Sequence, residues 1–277
     1  MTSSTSRPPS HDLPVTGDLR LLYGLSLTVA LILAVASVAG LVYPERLYPT
    51  EALLQSNMPN DLVNLVIGLP FLLISMGLTR RGRLIGLLLW PGALFYVVYN
   101  AIAYLLSLPL NLSFLLSLVL LTLSIYTIIG LVSRIDGLVV KRRLDGAVPA
   151  RLAGGVLIGL GGAFYLRAIG VVIQGLLGSS RLPQAELAVS ISDALTAPAS
   201  FVGGMLLWQR RPCGYAVGAG LLAELSVLFV ALIAFMVLQP LVTDAPFLFV
   251  DTVIVLLMAL IALIPTGLFL RGVISKE

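Results

Sequence analysis

Long apolar runs alternate with short polar breaks along almost the whole chain. A helix needs roughly 20 predominantly apolar residues to cross a bilayer. Eight stretches meet that rule, at about 20–43, 60–79, 84–108, 111–133, 152–177, 186–209, 214–239 and 247–270. The predicted fold is all-α, a polytopic membrane helix bundle of eight transmembrane helices. Two joins are tight: Leu108-Pro109-Leu110-Asn111 between the third and fourth spans, and Gln239-Pro240 through Pro246 between the seventh and eighth. Proline disfavours continuation of a helix at both. No charge occurs between Arg83 and Arg134, a stretch about twice one span, which forces a hairpin there.

Composition agrees with this pattern. Of 277 residues, 58% are hydrophobic and 11% charged, with a mean hydropathy of +1.05. A soluble domain is about 45–50% apolar and about 25% charged. A soluble enzyme, a disordered chain and a nucleic-acid-binding domain are therefore excluded, and the expected partner is the lipid bilayer. The net charge of +4 then reports topology. Arg7, Arg20, Arg80, Arg81, Arg83, Arg134, Lys141, Arg142, Arg143, Arg151, Arg210, Arg211, Arg271 and Lys276 fall on one side of an eight-span arrangement. Only Arg46 and Arg181 fall on the other, and Arg167 lies within a span. By the positive-inside rule both termini are expected in the cytoplasm of a cell whose plasma membrane holds the bundle.

The polar segment 1–18, with Pro8, Pro9 and Pro14, is expected to be a disordered cytoplasmic tail. It lacks the pattern of a cleaved signal peptide. Residues 19–134 and 151–277 read as two related four-helix units joined by a cytoplasmic linker at 135–150. Asp61-x-x-Asn64-x-x-x-Gly68 leading to Arg80-Arg81-Gly82 is echoed by Asp193-x-x-Thr196-x-x-x-Ser200 leading to Arg210-Arg211-Pro212. Four spans per unit is an even number, so the halves would form a parallel repeat about an axis along the membrane normal.

Candidate chemistry is sparse. The single Cys213 and single His11 exclude an internal disulfide, a C-x-x-C site, bis-His haem ligation and a histidine-based triad. Neither H-E-x-x-H nor a Walker A sequence occurs, and no span holds a lysine. Neither a metal nor an organic cofactor is expected. Charged groups within spans are costly and usually face partners, so Arg167, Asp193, Glu224 and Asp251 form the candidate substrate or ion site. Counted from the basic boundary at about 1.5 Å per residue, Arg167 and Asp193 both lie roughly 25 Å deep and could pair. Glu224 has no basic residue at its level, making it the candidate for proton or cation binding. The plain alternatives are a structural Arg167–Asp193 pair, a lone Glu224 bonding a neighbouring helix, and a capping or interfacial Asp251.

A candidate polar lining comes from Asp61, Asn64, Gly68 and Ser75 on one helical face and Tyr96, Asn100 and Tyr104 on another, with Tyr99 beside them. Asp61, after Pro59-Asn60, is also expected to cap a helix start. The Trp90-Pro91-Gly92 step could break its helix or only kink it. Gly155-x-x-x-Gly159 and Gly214-x-x-x-Gly218 predict close helix packing. Three function classes remain. They are a small-solute or ion transporter, with a proton or small solute as its ligand; a non-catalytic membrane subunit or scaffold with a membrane-protein partner or as a homo-oligomer; and an intramembrane enzyme without a visible mechanism.

Overall fold

In hydrocarbon a backbone N–H or C=O finds no water, so each span must close its own hydrogen bonds as a helix. The computed structural model describes residues 13–177 and 184–277. Among these the chain is 85% helix with no strand. Eight helices are long and apolar enough to cross a membrane. They are α1 (Arg20–Val42), α2 (Glu51–Arg80), α3 (Leu84–Ser107), α4 (Leu112–Val132), α5 (Ala150–Leu177), α6 (Gln184–Trp208), α7 (Pro212–Val242) and α8 (Phe249–Ile274). Arg7, His11 and Arg181 lie outside the described residues, as do 1–12 of the expected tail. Leu13–Asp18 runs beside the end of α4, where Thr16 N–H donates to Arg134 O at 2.7 Å and Asp136 N–H donates to Pro14 O at 2.8 Å.

Several helix ends differ by a few residues from the sequence expectation, and two differences have an identifiable cause. The second helix starts nine residues early, at Glu51, because Thr50 takes the capping role and its hydroxyl accepts from Leu53 N–H. Asp61 therefore sits within the helix body, and its expected capping role is overturned. The seventh helix runs through Pro240 to Val242, because a proline in the last turn leaves the preceding hydrogen bonds intact. The α3–α4 hairpin falls where expected, with the Asn111 side chain capping Phe114 N–H at 3.1 Å.

Each quartet of helices closes in the same way. In the first, α1 touches α2 and α4, and α3 touches α2 and α4; in the second, α5 touches α6 and α8, and α7 touches α6 and α8. Between quartets α3 lies on α7, with α3 also touching α6 and α7 also touching α2. The turns entering α3 and α7 share their bonding: Gly82 and Arg83 N–H donate to Thr79 and Leu78 O, and Arg210 and Arg211 N–H donate to Leu207 and Leu206 O. Gly82 (φ 75°) and Arg210 (φ 53°) both take the left-handed conformation at the apex.

The Trp90-Pro91-Gly92 step does not break α3, which is continuous from Leu84 to Ser107. It is a packing device. A Cβ on Gly92 would overlap the Gly220 carbonyl, and one on Gly220 would press on Leu88 O and Gly92 N. Trp90 is fully buried, stacks near Tyr23 with ring centroids 4.5 Å apart, and donates to Ser26 Oγ at 3.0 Å. The irregular backbone lies in α2 instead. Asn64–Gly68 forms a π turn in which Leu69 N–H bonds to Asn64 O, just before Pro70, whose missing N–H cannot continue the regular ladder. The α5 glycine motif also works differently from expectation. Gly159 meets nothing within 4 Å, while Gly154 and Gly161 press on the α6 backbone at Gly204, Trp208, Ala197 and Phe201.

Gly92→Val should therefore force α3 and α7 apart, costing about 1–3 kcal/mol or more. Thermal unfolding of the purified protein in detergent measures this as a lowered midpoint, whereas Gly159→Ala should leave the midpoint close to wild type.

Candidate functional site

Side chains from α3, α5, α6 and α7 meet where the two quartets join. Asp193 of α6 is buried, with 2% of its side chain exposed. Arg167 of α5 reaches it with two nitrogens, Nη2 at 2.6 Å and Nε at 3.1 Å, both on Oδ2. Tyr99 of α3 donates its hydroxyl to Oδ1 at 2.9 Å. Both carboxylate oxygens are thus satisfied, and a cation with a phenol holds the charge in place. The residue count allowed this pairing, and the two side chains are bonded. Arg167 keeps 43% of its side chain exposed, so the pair sits at the edge of the bundle rather than wholly inside it.

Glu224 of α7 is also buried, at 2% exposure, yet its Oε2 has no hydrogen-bond partner among the described residues. It lines a narrow cavity of about 10 Å³ together with Asp193, Tyr99, Thr196, Ser200 and Phe95. A space of that size holds on the order of one water molecule. The Thr196 hydroxyl donates to Ser192 O at 2.8 Å, leaving its lone pairs free. Asp193 and Glu224 thus line one cavity, and Arg167 is bonded to Asp193. Asp251 does not join them: it is exposed in the first turn of α8.

The expected polar lining is a second, adjoining network whose two stripes bond to each other. Asp61 is buried and accepts from Tyr48 Oη at 2.5 Å and Tyr104 Oη at 2.8 Å. The absence of a side chain at Gly40 lets the carboxylate lie against α1, since a Cβ there would overlap Asp61 Oδ2. One turn on, Tyr96 Oη donates to Asn64 Oδ1 at 3.3 Å, and Asn60 Nδ2 donates to Asn100 Oδ1 at 3.1 Å. The Tyr96 ring rests where Gly68 lacks a side chain, at the end of the π turn. Sequence reasoning missed Tyr48, Phe95 and the π turn. Pro70 so soon after Gly68 was the one local sign of irregular backbone; nothing local marked the other two. Among the described residues, no group of three or more His, Cys, Asp or Glu side chains could hold a metal ion.

Comparison with protein-family models, with curated proteins and with solved structures finds no match. The fold itself defines the class: a helical protein whose eight apolar helices are those of a multi-pass integral membrane protein.

Arg167→Gln should leave the Asp193 carboxylate short of its charged partner and cost about 1.5–3 kcal/mol. In a double-mutant cycle with Asp193→Asn, the two losses should fall well short of additive when thermal unfolding is followed in detergent. Additive losses would mean that the pair is not formed. Tyr48→Phe and Tyr104→Phe should each cost about 1–3 kcal/mol by the same measurement, because Asp61 would lose a buried donor.

Proposed function

We propose that the protein is a plasma-membrane transporter with cytoplasmic termini, carrying a proton or a monovalent cation on Glu224 as its two four-helix halves rearrange. The observation that carries this reading is that Glu224 lines a polar cavity where the halves meet while its buried Oε2 has no hydrogen-bond partner among the described residues. The charge count supports it. At the cavity Asp193 and Arg167 cancel, so an ionised Glu224 leaves one uncompensated negative charge there in a low-dielectric setting, where such a charge is costly. A single proton or monovalent cation neutralises it; a divalent ion would overshoot.

Two further features favour the reading. The equivalent neighbours within each quartet and the matching turns at Gly82 and Arg210 support a parallel internal repeat, an arrangement in which transporters place their sites between halves. The one-sided distribution of arginine and lysine supports cytoplasmic termini.

The test is uptake by proteoliposomes. With an outward proton gradient imposed, radiolabelled sodium, rubidium and methylammonium are offered in turn. At least one should enter severalfold faster than into empty liposomes, and Glu224→Gln should abolish the difference. A wild-type rate equal to that of empty liposomes for all three ions would overturn the proposal, as would uptake untouched by Glu224→Gln. Degradation of the protein in cells lacking a co-purifying membrane partner, with no uptake, would point to a subunit or scaffold.

A further inference from the structure

Beside the Glu224 cavity lies a second hollow of very different chemistry. It is an apolar groove of about 500 Å³ between α4 and α6. Ile128, Ile129 and Val132 form one wall, Ala199, Val202 and Leu206 the other, and Pro91 with Gly92 of α3 the floor. Ile129 and Val202 are exposed on the outer surface of the bundle, so the groove opens sideways, where acyl chains surround the protein. Its size is within the roughly 300–1,000 Å³ of ligand pockets.

The two hollows share a wall. Phe95 lines both, and the successive α6 residues Ala199 and Ser200 line the groove and the cavity respectively. The half-buried Phe95 ring therefore borders both a slot reachable from the bilayer and a water-sized polar pocket lined by Glu224.

We infer that this composite site takes a primary alkylammonium ion, with its ammonium head in the cavity against Glu224 and its hydrocarbon chain in the groove. The inference rests on the reading of Glu224 as the ion-carrying carboxylate and names its substrate class. Three properties of the site select this ligand. The uncompensated charge is one negative unit, which a monocation matches. The cavity admits a head no larger than roughly one water, which an –NH₃⁺ group meets and a quaternary ammonium does not. An ammonium brings three donors, and Glu224, Thr196 and Ser200 present oxygen acceptors around the cavity. The apolar remainder of the ligand is what the groove accommodates. Phe95 must turn aside for the head to pass, which makes it the gate.

Proton and amine then compete for one carboxylate. When Glu224 is protonated, arrival of the ammonium releases that proton to water and leaves an ammonium–carboxylate pair, with charge conserved. The groups near enough to act on the Glu224 charge are Asp193 of α6, itself paired with Arg167 of α5, and Tyr96 and Tyr99 of α3.

The test uses the full chain in lipid nanodiscs in weakly buffered solution, titrated with decylamine and followed by calorimetry and by pH. Saturable binding is expected, with proton release that grows as the starting pH is lowered over the range in which Glu224 takes up its proton. Glu224→Gln should weaken binding about thirtyfold or more and remove the proton release. Val202→Trp, which fills the groove mouth, should weaken decylamine binding while leaving Glu224 in place. Decanol and decyltrimethylammonium should not displace the amine. Binding of decylamine that is equal in wild type and Glu224→Gln is partitioning into lipid and overturns the inference, as does equal competition by decyltrimethylammonium. Glu224-dependent uptake of a small monovalent ion without decylamine binding would overturn this inference alone and leave the transport reading standing.

Discussion

The contact between α3 and α7 at Gly92 and Gly220 is the constraint on which the rest of the arrangement depends. With no side chain at either position, the two backbones touch, and each helix carries its own quartet to the interface. In a bilayer there is little hydrophobic drive to bring helices together, so close packing of small residues supplies much of the attraction. The same approach determines what lies above and below the crossing. Toward the turns at Gly82 and Arg210, α3 and α7 bury Leu84, Leu87, Leu88, Tyr215 and Ala219. In the other direction the helices carry Phe95, Tyr96, Tyr99 and Glu224 into the junction.

The polar groups of that junction follow from the cost of an unsatisfied charge in a dry interior. Asp61 is held by two phenols and lies against a glycine, and Asp193 by an arginine and a phenol. These two carboxylates have all their oxygens engaged and serve the fold whatever else they do. Glu224 differs in having a buried oxygen that meets no donor among the described residues, on a side chain that lines a cavity. That asymmetry among three buried acids, more than burial itself, is what supports the reading proposed for Glu224.

Much of this could be read directly from residue order. Span number followed from apolar length, and counting inward from Arg151 and Arg210 allowed the Arg167–Asp193 pair that the structure contains. The singular position of Glu224 followed from the lack of a basic residue at its level. Other features were misread for identifiable reasons. Asp61 looked like a cap because Pro59 and Asn60 precede it, yet Thr50 begins the helix nine residues earlier and Pro59 is carried within it. Trp90-Pro91-Gly92 was open to two readings, a break or a packing step, and α3 is continuous there, packed against Gly220 and Ser26. The irregular turn formed at Asn64–Gly68, where Pro70 removes a donor.

The sequence by itself determined the helices, since apolar length and the need to satisfy backbone hydrogen bonds in lipid leave no other solution. It also determined which few charged groups would lie among them. Tertiary structure alone decided which of those groups meet. A helix face is known from spacing, but its partner depends on where glycines let backbones touch. Tyr48, from the loop after α1, reaches Asp61 only because Gly40 leaves room, and Phe95 borders both groove and cavity where α3 is pressed onto α7. Such contacts join residues far apart in the chain, and local sequence carries no record of them.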